Sequence, residues 1–227
     1  MKYGICGLIV FAFVGACAWL HSAAVADCPS SRIQDAAAFA SRDGSGYSYR
    51  EKAEWILDRL DLRPGDTVVD IGAGDGWWSN KLAQRVVPGG HVFAAEVQSS
   101  LVEKMKQRFN GRTEIEPYQC PNDQPGRPEG SVDLAFLSQT YHHLPADGRV
   151  AYWQALAEQC KPTGRVCVIE TYPEIALRGQ DHGTQLSKLV AEAEHGGWIA
   201  VEVWFIPGTQ HYLAIFAPKR AFFAQGE

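Results

Sequence analysis

Apolar segments of five to seven residues recur along the chain, separated by polar or glycine-rich stretches. Runs of this length, bounded by turn residues, are typical of strands rather than helices. The pattern predicts seven strands, at 67–71, 91–97, 113–118, 132–137, 165–170, 199–205 and 210–216.

Segments with apolar residues at helical spacing lie between most of these strands. Ser48 and Glu51 form a capping-box pattern that opens the first helix, and Arg63-Pro64-Gly65 ends it. The same spacing predicts further helices at 77–86, 100–109, 151–160 and 184–194. Lys161-Pro162-Thr163-Gly164 is expected to end the helix before the strand at 165–170.

The alternation of strands and helices determines the expected fold class. Strands joined through helices pair in parallel with right-handed crossovers. The last two strands are joined only by Pro207-Gly208-Thr209, which predicts a hairpin and therefore an antiparallel strand. We expect an α/β fold, a three-layer sandwich with a mostly parallel sheet between two layers of helices.

The N-terminal segment has the composition of a targeting sequence. It carries Lys2, an apolar run over 3–20 and the small-residue pattern Ala24-Val25-Ala26. This predicts a secretory signal peptide at 1–26, export to the periplasm or medium, and no stable membrane span after cleavage. An uncleaved anchor and a lipoprotein signal at Cys17 are alternatives. The rest divides into a flexible segment at 27–47, one domain at 48–218 and a tail at 219–227.

Composition narrows the class of protein further. Hydrophobic residues make up 46% and charged residues 21% of the chain, a balance typical of globular proteins. The formal net charge is −5 and no basic stripe is present, so no nucleic-acid partner is expected. Four cysteines lie outside the signal, and either disulfides or buried free thiols are compatible with them. They are Cys28, Cys120, Cys160 and Cys167, and their spacings match no metal site.

Three alternate glycines follow the first predicted strand. Gly72, Gly74 and Gly76 allow a ligand to approach the backbone closely, at the edge of the sheet where such folds bind ligands. A dinucleotide loop would need a third glycine at Trp77, one residue later. The lysine of a phosphate-binding P-loop is also missing from this part of the sequence. Both phosphate-binding interpretations are therefore disfavoured.

Glu96 indicates what the ligand carries. It ends the second strand, twenty residues after Gly76, where an acid can accept hydrogen bonds from both hydroxyls of a ribose. The alternative is a solvated charge at a strand end. Together with the glycines, Glu96 favours a ligand with a ribose and an anionic tail but no required phosphate, a description that S-adenosylmethionine (SAM) fits.

With these residues in view, the chain resembles class I SAM-dependent methyltransferases. Within them it is similar to a bacterial branch marked by VVDIGAGDG, PGG and YHH, found here at 68–76, 88–90 and 141–143. The resemblance covers about 48–216. It implies a Rossmann-like fold whose seven-stranded sheet has the order 3-2-1-4-5-7-6 with strand 7 antiparallel. It also implies that SAM is the cofactor.

The resemblance assigns roles to individual residues. Glu96 would hold the ribose diol and Val97 would contact the adenine, while Asp70 would anchor the glycine loop and reach the amino group of the cofactor. The other cofactor-binding residues implied are Gly72, Ala73, Gly74, Gly76, Asn122 or Asp123, Ser138 and Gln139. The family often has an acid where Gln139 stands, which leaves open whether a catalytic base lies there.

Tyr141, His142 and His143 are the catalytic candidates, because a histidine near neutrality can accept a proton from a nucleophile. If they extend the fourth strand, the two imidazoles point to opposite sides and only one faces the substrate. A structural role for both is an alternative, and no metal site is expected.

Other residues near the expected cleft have structural or covering roles. Trp77 and Trp78 are expected in the core, and His211 and Tyr212 are expected to be structural. A segment with Tyr47, Tyr49 and Arg50 precedes the first helix. By resemblance to related enzymes, we expect this segment to cover the cofactor as a lid.

An exported domain and an intracellular cofactor are in conflict. We therefore keep two alternatives to a methyltransferase with an unidentified acceptor. The first is an exported, non-catalytic binding module on a methyltransferase scaffold. The second is a nicotinamide-dependent oxidoreductase, which the position of Gly76 disfavours.

Overall fold

The computed structural model describes residues 49–173 and 183–223. The strands are β1 (Thr67–Ile71), β2 (His91–Glu96), β3 (Ile115–Gln119), β4 (Val132–Ser138), β5 (Cys160–Thr171), β6 (Trp198–Phe205) and β7 (His211–Pro218). The helices are α1 (Ala53–Leu57), α2 (Trp77–Val86), α3 (Ser99–Arg108), α4 (Arg149–Gln159), α5 (Leu186–His195) and α6 (Arg220–Phe223). Two 3-10 turns, Tyr49–Lys52 and Tyr141–His143, precede α1 and α4.

The strands form one sheet in the order β3-β2-β1-β4-β5-β7-β6. The first five strands pair in parallel, and β7 runs antiparallel to both β5 and β6. This confirms the predicted Rossmann-like α/β fold and its strand order. The carboxyl ends of β1, β2 and β4 therefore meet at one edge of the sheet, which is where such folds bind ligands.

Each face of the sheet is covered by helices. On one face, residues such as Val68 and Phe136 pack against Ile56 of α1 and Leu82 of α2. On the other face, alternate residues such as Val69 pack with α4 and α5. Burial of each large apolar side chain contributes about 1.5–3 kcal/mol, so both faces stabilise the sheet. The three-layer sandwich follows from the two-residue periodicity of the strands.

The largest departure from the sequence prediction is the start of β5. The strand was expected from Arg165, after a break over 161–164, but it begins at Cys160, which pairs with Val132. A register shift separates this pair from the Leu134 and Arg165 pair. A side chain at Gly164 would lie 2.7 Å from the carbonyl oxygen of Val132, so glycine there permits the irregular pairing.

Other boundaries differ less. The first helix ends at Leu57 rather than near residue 62, although Leu60 beyond it is still fully buried. Ser48, of the predicted capping box, lies outside the described residues, as do Tyr47, the predicted signal peptide and the segment 27–47. No side chain caps α1, and the helix follows directly from the 3-10 turn.

The three described cysteines are free, buried thiols, which favours the second of the two sequence alternatives. Burial raises the pKa of Cys120 to about 11 and that of Cys160 to about 12, so both are protonated at neutral pH. Over 49–173 and 183–223, no helix has the length and apolar character needed to cross a bilayer. The same residues contain no cluster of three potential metal ligands.

Candidate active site

The glycine turn after β1 places three glycines in three different environments. All have positive φ, and the space above Gly74 is open, since a side chain added there would have no atom within 4 Å of its first carbon. A side chain at Gly72 would collide with Thr140, whereas one at Gly76 would meet the ring of Phe109 at 2.5 Å. Gly76 was expected to line the cofactor, but its neighbours are side chains of the core.

Glu96 ends β2 and faces this turn. One carboxylate oxygen accepts a hydrogen bond from the amide of Gly74 at 2.9 Å. The other accepts from the amides of Val97 and Gln98, at 2.9 and 3.0 Å. Three backbone donors thus hold a carboxylate whose residue is only 5% exposed. The carboxylate is fixed against the glycine turn, and its predicted contact with a ribose stays a prediction.

Asp70 lies beneath the turn and connects β1 to α2. It is buried, and its carboxylate accepts a hydrogen bond from the hydroxyl of Ser79 at 2.6 Å. Burial raises the pKa of Asp70 to about 7, although the hydrogen bonds from Ser79 oppose this effect. Asp70 therefore anchors the first turn of α2, and its predicted contact with the amino group of the cofactor stays a prediction.

A cleft of about 380 Å³ lies at this edge of the sheet. A volume in this range is typical of small-molecule sites. Of the residues predicted to bind the cofactor, it is lined by Gly72, Glu96, Val97, Asn122, Ser138 and Gln139. Neighbours that sequence reasoning missed are Ile71, Gln98, Cys120, Pro121, Thr140, Leu144, Pro145 and Tyr152.

Besides Asp70 and Gly76, three predicted cofactor residues are not among those that line the cleft. Ala73 is 8% exposed and belongs to the core, and its amide donates to the carbonyl oxygen of Ala95 at 3.0 Å. Asp123 is exposed, while its neighbour Asn122 faces the cleft. Gly74 instead contacts Glu96 through its amide.

Of the residues that sequence reasoning missed, Cys120 had a usable signal. It lies two residues after the predicted third strand, and the ends of parallel strands border the ligand site in such folds.

The end of β4 forms the wall opposite Glu96. Gln139 has a φ of 54°, an uncommon value for a residue other than glycine. Its side-chain oxygen accepts a hydrogen bond from the hydroxyl of Thr171 at 2.9 Å, and its backbone amide donates to the carbonyl oxygen of Ile169. These contacts with β5 hold the unusual backbone. Where the family often has an acid, this wall presents a neutral amide.

The YHH segment is a 3-10 turn rather than an extension of β4. The expectation that its histidines point to opposite sides is therefore wrong, because successive residues of a 3-10 turn do not alternate. The rings of His142 and His143 lie 4.0 Å apart, centre to centre. His143 lines the cleft.

His142 pairs with a buried acid that the sequence analysis did not identify. Its Nδ1 lies 2.8 Å from a carboxylate oxygen of Glu170, which lies near the end of β5 and is fully buried. The second oxygen of Glu170 accepts from the backbone amide of His142 at 3.2 Å. One carboxylate thus fixes both the backbone and the ring of His142. An imidazole oriented by a carboxylate is well suited to proton transfer.

Tyr141 lies beneath the turn and is 1% exposed. Its hydroxyl donates to Glu192 at 2.7 Å and accepts from the indole of Trp153 at 3.0 Å. Burial, followed by the hydrogen bond to Glu192, raises the pKa of Tyr141 above its usual value. Tyr141 therefore attaches the turn to α4 and α5, away from the residues that line the cleft.

A group of aromatic side chains lies next to Ser138, which ends β4. The hydroxyl of Ser138 donates to the phenol oxygen of Tyr49 at 3.0 Å. The ring of Tyr49 lies 4.6 Å from that of His211 and 6.2 Å from that of Trp78. Burial lowers the pKa of His211 to about 4, so its imidazole is neutral at pH 7.

The structure also describes the other aromatic residues that the sequence analysis named. Trp78 is buried in the core, as expected, and Trp77 is partly buried against it. Tyr212 is fully buried, and its hydroxyl donates to the carbonyl oxygen of Thr184 at 2.8 Å, which is a structural role. The guanidinium of Arg50 lies over the ring of Trp77, 5.0 Å from its centre.

A seven-stranded sheet in this order, with a glycine turn after β1 and a carboxylate closing β2, is the arrangement that the resemblance to class I SAM-dependent methyltransferases implied. A family model described as a methyltransferase domain matches residues 68–164. Over these residues, the match supports the resemblance to SAM-dependent methyltransferases that the glycine turn and Glu96 indicated. SAM is the cofactor of this class of domain.

Similar proteins agree with this assignment. Nocamycin O-methyltransferase from Saccharothrix syringae is 28% identical over 139 residues, which are 60% of this chain and 49% of that protein. The chain spans about half the length, or less, of the first curated relatives that it matches. These relatives are therefore similar to this chain over one part of a longer protein in each case.

Solved structures share the fold. A SAM-dependent methyltransferase from Aquifex aeolicus aligns with a TM-score of 0.62 at 22% identity, over 72% of this chain and 88% of its own. Geranyl diphosphate C-methyltransferase from Streptomyces coelicolor A3(2), determined with S-adenosyl-L-homocysteine (SAH), aligns with a TM-score of 0.62 at 12% identity. The second alignment covers 74% of this chain and 79% of that one.

Proposed function

We propose that this protein is an exported enzyme that transfers the methyl group of SAM to an acceptor other than nucleic acid. The observation that carries the proposal is the convergence of Glu96 and the glycine turn on one cleft. The carboxylate is held by three amides against Gly74 and borders about 380 Å³ of space. A net charge of −5 disfavours a nucleic-acid acceptor.

The residues of the cleft fit the cofactor. Glu96 retains an acceptor position for one ribose hydroxyl, and Val97 and Asn122 line the same cleft, where we place the adenine. The open space above Gly74 allows the close approach that glycine permits. Ser138 and Gln139 form the far wall, where we place the methionine end of the ligand.

Positioning is the main contribution of the protein to the reaction. When bound, SAM supplies a methyl group on a positively charged sulfur, which becomes a neutral thioether as the lone pair of the acceptor takes the methyl carbon. Holding two reactants in line can lower a barrier by about 7–11 kcal/mol in favourable cases. Gln139 is held by β5 and Thr140 packs against Gly72, so this wall is rigid.

For an acceptor that carries a proton on its reacting atom, we propose that the YHH turn accepts this proton. His143 lines the cleft, and a neutral imidazole is a suitable base near pH 7. His142 packs against it and is oriented by Glu170, so we assign His142 a positioning role. Tyr141, bonded to Glu192, supports the turn from below.

Binding of SAH to the full chain tests the proposal first. We expect saturable, micromolar binding by calorimetry, together with weak or no binding of nicotinamide dinucleotides. A folded chain that binds no SAH would rule out the proposed enzyme. Tight binding of a nicotinamide dinucleotide instead would support the oxidoreductase alternative.

Methyl transfer separates an enzyme from a binding module. A screen of small molecules, lipids and peptides with isotopically labelled SAM should yield one labelled product class. We expect His143→Gln to lower kcat and to change the pH profile, since the group that accepts the proton is lost. His195, which is exposed on α5, gives the matched control His195→Gln. Binding of SAH without transfer to any acceptor would favour the exported binding module.

Export is tested on the protein isolated from its host. The proposed signal peptide predicts that the mature chain begins at Asp27, after cleavage behind Ala26. A lipid-modified N-terminus at Cys17 would instead support the lipoprotein alternative. An intact Met1 on cytoplasmic protein would show that the export proposal is wrong.

A further inference from the structure

The ring of Tyr49 occupies a position next to the wall where we place the reacting end of the cofactor. Its phenol oxygen accepts the hydrogen bond from Ser138 at 3.0 Å, and Ser138 itself lines the cleft. Tyr49 belongs to a 3-10 turn of four residues, none of which is buried. The ring is therefore held by its contacts with other elements, and not by the turn to which it belongs.

Both ring neighbours of Tyr49 carry a buried nitrogen without a partner. Trp78 Nε1 and His211 Nδ1 are two of only six buried side-chain nitrogen or oxygen atoms that lack a hydrogen bond among the described residues. A buried polar group without a hydrogen bond is destabilising, because it has lost its hydrogen bonds to water. Because both atoms belong to residues that flank the Tyr49 ring, we take them as evidence that this space suits an occupant with more polar groups than Tyr49.

We propose that the space filled by the Tyr49 ring, bordered by Trp78, Ser138 and His211, is the acceptor site, and that the acceptor is a hydroxyaromatic compound which displaces Tyr49. This inference rests on the proposed methyltransferase function. The acceptor presents its hydroxyl to Ser138, as the Tyr49 phenol does. Further polar groups on its ring meet the unpartnered nitrogens.

The chemistry of the site favours a planar, uncharged ring. Trp78 is nearly parallel to Tyr49, with 23° between the ring planes, and His211 is tilted by 41° at 4.6 Å. Aromatic surfaces in such arrangements contribute beyond the area that they bury. The groups that contact the ring include the hydroxyl of Ser138, an indole and an imidazole that burial keeps neutral. These three groups carry no charge, which favours an uncharged acceptor.

The proposal is tested by whether one substitution, Tyr49→Ala, raises or lowers the affinity for phenol. Tyr49→Ala removes the internal occupant, whereas Tyr49→Phe keeps the ring and removes only the hydroxyl. Each variant is first titrated with SAH, which shows that it is folded and that the cofactor site is intact. Phenol and its saturated counterpart cyclohexanol are then titrated into each SAH-loaded protein by calorimetry.

We expect Tyr49→Ala to bind phenol about tenfold or more tightly than the wild type, since no side chain must be displaced. Phenol should also bind more tightly than cyclohexanol. Equal affinity for the two rings, or weaker phenol binding than in the wild type, would overturn the proposal. Absence of SAH binding to the wild type would instead reject the proposed function, so the two failures are distinguishable.

A second measurement covers the case in which Tyr49→Ala does not fold. The wild type is labelled with 3-fluorotyrosine, and the ¹⁹F resonance of Tyr49 is assigned by its loss in Tyr49→Phe. Phenol should move this resonance in a saturable way, because the ring leaves its aromatic neighbours. A resonance that stays unchanged at every phenol concentration that the folded protein tolerates would overturn the proposal.

Discussion

Replacing Glu96 by glutamine tests the central feature of the cleft. A carboxylate offers about four acceptor positions on its two oxygens. Three are occupied here, by the amides of Gly74, Val97 and Gln98. One position is therefore available for a ribose hydroxyl without rearrangement. A second hydroxyl must take the place of the Gly74 amide, and this exchange of one hydrogen bond for another contributes little.

The expected change in the Kd of SAH follows from the number of acceptor positions that Glu96 has available. Glu96→Gln removes the charge and replaces one acceptor oxygen by an amide nitrogen, which only donates. A hydrogen bond to a charged group contributes about 1.5–3 kcal/mol. Losing one raises the Kd of SAH roughly 10- to 150-fold. Calorimetric titration with SAH measures this change directly.

A matched control keeps the interpretation specific. Glu103 is exposed on α3, with 63% of its side chain accessible and an ion pair to Lys106, so Glu103→Gln should leave the Kd unchanged. Thermal unfolding of both variants shows that they are folded. A folded Glu96→Gln protein that binds SAH like the wild type would refute the role given to Glu96.

Three further predictions concern stability, each measured as the free energy of unfolding in urea. Gly76→Ala should lower the free energy of unfolding by about 2–4 kcal/mol, because the new carbon meets Phe109 at 2.5 Å. The control Gly111→Ala has a similar φ but open space around the new carbon, so it should lose only about 1–2 kcal/mol. Equal losses in the two variants would contradict the packing role of Gly76. Burial raises the pKa of Asp70 to about 7, so the folded protein retains a proton that the unfolded chain releases near pH 4. Relative to Asp70→Asn, the wild type should lose stability as the pH rises from about 4 to 7, and a constant difference would refute this. Burial lowers the pKa of His211 to about 4, so the folded protein disfavours the protonated imidazole. Relative to His211→Phe, the wild type should therefore lose stability as the pH falls from about 6.5 to 4. The opposite slope would show that the imidazole is charged in the folded protein.

Much of the fold could be predicted because the pattern of apolar side chains in each strand or helix reflects which of its faces are buried. Strands such as β1 and β4 are buried on both faces and therefore read as continuous apolar runs. The order of the sheet came from the family resemblance rather than from these runs. Where the prediction failed, as at the start of β5, a register shift at Gly164 allowed an irregular pairing that local sequence patterns do not reveal.

The cleft was predictable in part. Gly72 and Glu96 were identified because turns and strand ends have a known place at the edge of a parallel sheet, and Ser138 was identified through the family resemblance. Tyr152 was missed because it lies on α4, where its apolar surroundings suggest only core packing. The 3-10 conformation of the YHH turn was also missed, since three residues are too short for a periodic signal.

The sequence by itself determined most of the strands and helices, the glycine turn and the acid that closes β2. Each of these depends on neighbours within a few residues, and a pattern of side chains records such neighbours. Only the tertiary structure brought Tyr49, Ser138 and His211 together, and it alone paired His142 with Glu170. These residues come from distant parts of the chain. Their contacts depend on how the elements pack across the sheet edge, which no local pattern encodes.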